Sequence, residues 1–156
     1  MSTAAIALPA YLWPHRSYPG DLRELSQVRA DLARDLWGLG DTDLLDTVRL
    51  VTSELFANAA KYAFPGARVD RVMSLSQGRT LRIGIFDAGD GPTRPRIPTE
   101  RTDAAWDWAE GQRGLLMVSR LATGWGCHAL PEWPGFRTQV WATFDVWSDG
   151  EAPGQE

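Results

Sequence analysis

The chain has 156 residues, of which 44% are hydrophobic and 23% charged, with a net charge of -4 and one cysteine, Cys127. This size and balance predict one globular domain with a hydrophobic core of its own. The acidic charge argues against direct binding to nucleic acid or to an anionic membrane surface. One cysteine excludes an intrachain disulfide and a multi-cysteine zinc site. No run reaches the roughly 18 apolar residues of a membrane span, so we expect a cytoplasmic protein.

The first predicted elements are a flexible arm and two helices. Residues 1–14 contain two prolines and are predicted to form the arm, ahead of a domain over residues 15–147. Asp21 is a candidate N-cap for a first helix, whose apolar period stops at two glycines near residue 40. A second helix is predicted over residues 41–63, where a Pro-Gly pair follows it.

Strand patterns follow the second helix. Apolar residues alternate over residues 69–75 and again over residues 81–87, which predicts two strands joined as a hairpin. The next stretch, residues 88–112, has neither a helix nor a strand period. Loops of this length are rare in compact domains and are usually functional or disordered.

The C-terminal part predicts one more helix and two more strands. The helix is expected over residues 114–121, and the strands over residues 124–130 and 137–147. Residues 148–156 are polar and are predicted to be a disordered tail. Helices combined with hairpin strands predict an α/β two-layer sandwich, with a mixed, mainly antiparallel sheet and helices on one face.

Three polar residues of the second helix form one row. Glu54, Asn58 and Lys61 lie at i, i+4 and i+7, and Lys61 is the only lysine of the chain. The row borders an apolar stripe made of Leu44, Val48, Val51, Leu55, Ala59 and Tyr62. A carboxylate, an amide and an ammonium at the margin of a buried stripe need partners. An anionic ligand with a metal would supply them, which suggests a nucleotide site.

Two glycine-containing motifs follow the row. Asp87 precedes Gly89 and Gly91 at the end of a predicted strand, where the glycines allow the backbone to approach a ligand and the carboxylate can accept from an exocyclic amine. Residues 111–114 read G-Q-R-G and lead into the third helix, which predicts a phosphate site with Arg113 as a fixed cation. Either motif alone is also compatible with an ordinary turn or helix start.

Together the motifs are more specific. In the order E-x-x-x-N-x-x-K, D-x-G-x-G and G-x-R-G-L they resemble the N, G1 and G2 boxes of the GHKL ATP-binding domain, shared by gyrase, Hsp90, histidine kinases and MutL. The flanking segments H-R-S-Y-P-G-D, V-R-L-V-T-S-E-L-F-A-N-A and R-G-L-L-M-V-S-R-L-A-T-G-W-G resemble anti-sigma-factor serine/threonine kinases, in particular the short stand-alone members of actinobacteria. The resemblance covers about residues 15–147.

The resemblance implies a role for each motif residue. Asn58 would be a ligand of Mg²⁺, Glu54 the general base of phosphoryl transfer from ATP, and Lys61 a neighbour of the phosphates. Asp87 would bind the adenine amino group, and residues 92–110 would form a lid that ATP orders. The other residues implied in nucleotide binding are Gly89, Gly91, Gly111, Arg113 and Gly114.

The resemblance also implies partners. Relatives sequester a sigma factor and phosphorylate a small antagonist protein on serine or threonine, and homodimers are common among them. The alternative is a regulator that binds ATP, or only a protein partner, without transferring phosphate. It is motivated by Gln112, where relatives have glycine, and by Gln139, where relatives often have threonine. The side chain of Gln112 would crowd a tight loop if positive φ is needed there.

Other candidate residues are weaker. His15 and His128 have no metal-ligand spacing and are predicted to be structural. Trp106 and Trp108 lie in the long polar stretch, where they would either fold over a ligand or form a partner surface.

Overall fold

The computed structural model describes residues 9–62, 66–76, 79–87, 110–130 and 138–146, with the backbone alone for Pro9, Tyr62 and residues 110–113. The helices are a 3-10 turn at Leu22–Glu24, α1 at Leu25–Asp35, α2 at Thr42–Tyr62 and α3 at Glu110–Leu121. The strands are β1 at Pro9–Leu12, β2 at Arg16–Pro19, β3 at Arg68–Ser76, β4 at Thr80–Asp87, β5 at Gly124–Ala129 and β6 at Thr138–Asp145.

The six strands form one sheet in the order β1-β3-β4-β6-β5, and β2 pairs with β3 on the same edge as β1. Every pair among the described strands is antiparallel. Helix α2 packs against β3, β4 and β6, with α1 and α3 beside it. The predicted fold, a two-layer α/β sandwich with a mainly antiparallel sheet and helices on one face, is confirmed.

Strand β4 shows how the sheet divides its two faces. Leu81, Ile83 and Ile85 are fully buried against the helices, whereas Arg82 and Phe86 lie on the opposite face and are only partly buried. Alternation along β6 follows the same rule, because its residues pair one to one with those of β4. The face of each strand residue can therefore be stated from its position.

Helix α2 is the central helix of the helical layer. Asp41 caps it, since its Oδ1 accepts a hydrogen bond of 2.8 Å from the Leu44 amide. The middle of the predicted apolar stripe is buried, namely Val48, Val51, Leu55 and Ala59. Burial of this stripe places the polar row of Glu54, Asn58 and Lys61 at the edge of the core.

The arm predicted for residues 1–14 differs from the structure over its last part. Pro9–Leu12 forms strand β1, which pairs with β3, and Trp13 is buried in the core. The indole Nε1 of Trp13 donates a hydrogen bond of 2.8 Å to the Asp35 carbonyl. Burial of this large aromatic ring fixes a segment that the two prolines suggested was loose.

A buried polar network joins β2, β3 and α1. Arg16 donates two hydrogen bonds of 2.7 Å to the Asp35 carboxylate, and Arg71 donates a third from Nη2. The hydrogen bond from Arg16 is the main reason that the pKa of Asp35 is lowered. Arg71 is 1% exposed, and its Nε and Nη1 have no hydrogen-bond partner among the described residues.

Tyr18 belongs to the same network. Its hydroxyl donates a hydrogen bond of 2.9 Å to Asp31 Oδ2. Burial, followed by this hydrogen bond, raises the pKa of Tyr18 to about 12. Its ring packs edge to face on Phe56 of α2, which ties the network to the central helix.

Candidate functional site

The polar row of α2 lies along one wall of a pocket. Asn58 is 8% exposed, Glu54 is partly buried and Lys61 is exposed. Asn58 is therefore the inner residue of the row. The structure brings the three predicted residues together at the margin of the core.

The opposite wall of this pocket is the turn before α1. The pocket has a volume of about 460 Å³ and is lined by Gly20, Asp21, Leu22, Glu54, Ala57, Asn58, Ala60 and Lys61. The glycine and the two alanines leave room between the walls. Sequence reasoning assigned Asp21 only to the helix cap, so this wall of the pocket was missed. The position of Asp21 next to a helix start does not indicate that this residue faces α2 across a pocket.

Asp21 lines the pocket with a carboxylate that is paired with Arg23. The Asp21 Oδ1 accepts a hydrogen bond of 2.9 Å from the Arg23 amide, so Asp21 caps the 3-10 turn that leads into α1, whereas the N-cap of α1 itself is Glu24. The Arg23 guanidinium donates to the same carboxylate, and these hydrogen bonds lower the pKa of Asp21 to about 2. The pocket wall thus combines two carboxylates, an amide and an ammonium.

Helix α3 adds a further contact to Glu54. A Cβ at Gly114 would overlap Glu54 Oε2 and would lie 3.3 Å from Glu54 Cδ. The Glu54 carboxylate therefore lies directly against the backbone of α3 at Gly114. Two motifs separated by 60 positions meet at this contact.

The predicted loop over residues 111–114 is wrong, because α3 already begins at Glu110. Gly111 belongs to the first turn of the helix, where amide N–H groups lack acceptors within the helix, and Arg113 follows at the fourth position. Packing of α3 against α2 outweighs the weak helix propensity of two glycines. Gln112 has helical backbone, so the positive φ expected to crowd its side chain does not occur.

Asp87 ends β4 on the helix-covered face of the sheet and is 5% exposed. Thr138 lies directly opposite it in the ladder with β6. Residues paired in this way present their side chains on the same face. Gly89, Gly91, Trp106 and Trp108 lie outside the described residues, as does the lid predicted over residues 92–110 except for Glu110, which begins α3.

Gln139 lies on the other face of the sheet. Its side-chain Nε2 would be 2.8 Å from a Cβ at Gly84, so the amide covers that glycine of β4. Strand alternation directs Gln139 away from Asp87 and from the helical layer. The substitution noted in the sequence is therefore remote from the pocket.

The two histidines contact protein groups. His15 Nε2 lies 2.7 Å from Asp70 Oδ2, and His128 stacks on Trp141 with ring centroids 6.2 Å apart. Within the described part of the chain, no group of three His, Cys, Asp or Glu residues is arranged to hold a metal ion. The contacts agree with the structural role predicted for both residues.

A family model described as the histidine kinase-like ATPase domain matches residues 16–132. The chain belongs to this family. The GHKL resemblance inferred from the three motifs is thereby confirmed. Histidine kinase-like ATPase domains bind ATP, usually with Mg²⁺, and are typical of kinases and ATPases.

One solved structure with a similar fold is that of the mycobacterial sensor histidine kinase MprB. The TM-score is 0.51 at 15% sequence identity, and the match covers 86% of this chain and 100% of that chain. At this identity the likeness shows the fold alone. A comparison with curated proteins gives no match. Among the described helices, none is long and apolar enough to cross a membrane.

The pocket residues fit the ligands of a histidine kinase-like ATPase domain. Asn58 and Glu54 carry the oxygen donors that Mg²⁺ prefers. Mg²⁺ usually keeps several waters and combines one or two protein ligands with substrate phosphates. One amide and one carboxylate, with Asp21 already paired to Arg23, suit this mode of binding better than a cage made of protein groups alone.

Proposed function

We propose that this chain binds ATP with Mg²⁺ and transfers the γ-phosphoryl group to a serine or threonine of a partner protein. The observation that carries the proposal is the meeting of Glu54, Asn58 and Lys61 in one pocket, with Gly114 of α3 in contact with Glu54. Membership of the histidine kinase-like ATPase family supports ATP as the nucleotide.

Each residue has a role that its position allows. Asn58 would hold Mg²⁺ through its amide oxygen, and Lys61 would lie near the phosphates. Glu54 would accept the proton of the attacking hydroxyl, as a positioned carboxylate does in general base catalysis. Asp87 would accept a hydrogen bond from the adenine amine, and the first turn of α3 would bind phosphate through its free amides.

We further propose that the partner proteins are a sigma factor, which the chain sequesters, and an antagonist protein, which it phosphorylates. The flanking segments that resemble anti-sigma-factor kinases support this proposal. The two glutamines that motivated a non-catalytic regulator lie in a helix and on the far face of the sheet. The helical backbone at Gln112 removes the expected crowding and Gln139 points away from the helical layer, so we favour the kinase.

The first experiment is calorimetry of ATP binding in the presence of MgCl₂. We expect wild type to bind and Asn58→Ala to weaken binding about tenfold or more, equivalent to about 1.4 kcal/mol. Asp46→Ala is the matched control, because Asp46 is an exposed residue of the same helix outside the pocket. Absence of ATP binding by wild type would contradict the proposal.

The second experiment follows label from γ-labelled ATP into proteins of a lysate depleted of other kinases. Glu54→Gln should bind ATP and lose transfer by about 100-fold or more. Phosphate on serine or threonine survives acid, whereas phosphate on histidine is lost. Acid-labile label would therefore contradict the serine/threonine assignment, and ATP binding without any transfer would favour the non-catalytic regulator.

A further inference from the structure

Gly114 contacts Glu54 more closely than any residue with a side chain could. The three heavy atoms nearest to a Cβ at this position all belong to Glu54, and Oε2 would overlap it. The next two are Cδ at 3.3 Å and the side-chain Cβ at 3.7 Å. A methyl group at position 114 would therefore occupy the place of the Glu54 carboxylate.

The backbone does not require glycine at this position. The described glycines with positive φ are Gly38, Gly40 and Gly66, whereas Gly114 lies inside α3. Alanine is more favourable than glycine inside a helix. The space taken by Glu54, and not the backbone conformation, explains a glycine here.

We propose that Gly114 is a positioning residue, whose missing side chain lets the Glu54 carboxylate rest against the N-terminal part of α3. The inference rests on the proposed function, in which Glu54 accepts the proton of the attacking hydroxyl. Because Oε2 is the end of a flexible side chain, a methyl group at position 114 displaces the carboxylate and leaves the helices in place. Misplacement of a catalytic group by about 1 Å can cost about 100-fold in rate.

The test is a double-mutant cycle of Gly114→Ala and Glu54→Ala, with ATP affinity, rate of ATP turnover and melting temperature measured for each protein. Gly114→Ala should lower turnover by about 10- to 100-fold. In the Glu54→Ala background it should cause no further loss, since the displaced group is absent. Ser119→Ala is the control for an alanine in α3 away from Glu54.

The melting temperature distinguishes displacement of the Glu54 carboxylate from a general loss of fold stability. We expect Gly114→Ala to melt at the same or a higher temperature, because alanine favours the helix. If it melts lower, Glu54→Ala must restore the temperature, since removal of the glutamate side chain removes the overlap. A loss that persists in the double variant contradicts the proposal.

A spectroscopic measurement does not depend on turnover. The carboxyl ¹³C resonance of Glu54, assigned by its absence in Glu54→Gln, should shift in Gly114→Ala and stay in place in Ser119→Ala. This result would support the positioning role even if wild type failed to bind ATP, in which case only the proposed function would be lost. An unshifted resonance, or ATP affinity lowered equally by Gly114→Ala in both backgrounds, would overturn the inference.

Discussion

Thr138 of β6 lies directly opposite Asp87 of β4, on the face of the sheet that the helices cover. The next residue, Gln139, points to the other face and covers Gly84. A hydroxyl is thus available beside the carboxylate that we assign to the adenine amine. The polar pair at the strand ends is Asp87 with Thr138, and Gln139 has no part in it.

This pairing predicts that only one of two neighbouring substitutions lowers ATP affinity. Thr138→Val keeps the shape of the side chain and removes the hydroxyl that we expect to bind adenine. ATP affinity should therefore fall by about fivefold, which corresponds to the loss of about 1 kcal/mol for one neutral hydrogen bond. Gln139→Ala should leave ATP affinity within about twofold. Calorimetry with Mg²⁺ measures both, and an effect confined to Gln139→Ala would show that the assigned face is wrong.

Elements with a strong local period could be predicted from the sequence. Helix α2 has both a capping aspartate and a long apolar stripe, and it was predicted to within about a residue at each end. Strand β4 alternates clearly, because one of its faces is buried against the helices. The row of Glu54 and Asn58 followed from helix geometry alone.

Elements that depend on distant partners could not be predicted in this way. Strands β1 and β2 contain proline and are short, and their stability comes from pairing with β3. The start of α3 was misplaced since its glycines are typical of a loop, while contact with α2 decides the outcome. Asp21 lines the pocket only because α2 packs nearby, and this long-range packing cannot be inferred from the local sequence around Asp21.

The buried ion pair of Arg71 and Asp35 predicts a large loss of stability for Asp35→Ala. Arg71 is almost fully buried and would lose an anionic hydrogen-bond partner. Removal of one partner from a buried pair costs about 3–5 kcal/mol. Urea denaturation at neutral pH gives this free energy of unfolding, and an unchanged slope with urea would show that the two-state analysis holds.

The matched control for this prediction is the double variant Asp35→Ala with Arg71→Leu. Replacement of both members by apolar groups removes the uncompensated charge, so the double variant should be more stable than Asp35→Ala alone. If the two variants were equally unstable, loss of packing would explain the effect better than the unpaired guanidinium.

The lowered pKa of Asp35 predicts how its contribution depends on acid. A carboxyl whose folded pKa is below its unfolded value of about 3.9 stabilises the fold fully above that pH. The contribution is lost as the pH falls through the folded pKa, because the folded state must then bind the proton. The difference in unfolding free energy between wild type and Asp35→Asn should therefore be constant near neutrality and shrink below about pH 4. A difference that grew on acidification would contradict the assignment.

Tyr18 predicts a second pH dependence, at the alkaline end. Burial and the hydrogen bond to Asp31 raise its pKa to about 12, so the folded state favours the neutral phenol. The stabilisation is fully present below the unfolded pKa of about 10 and is lost as the pH rises through the folded value. The ultraviolet absorbance of tyrosinate should show a late phase near pH 12 that Tyr18→Phe removes.

A control tyrosine shows whether the late phase belongs to the buried network. Tyr11 is 52% exposed on β1, so Tyr11→Phe should leave the late phase in place. Because Tyr18→Phe also deprives Asp31 of a donor, its loss of stability should be present at neutral pH and diminish between about pH 10 and 12. A loss independent of pH would mean that the phenol ring, and not its proton, accounts for what Tyr18 contributes.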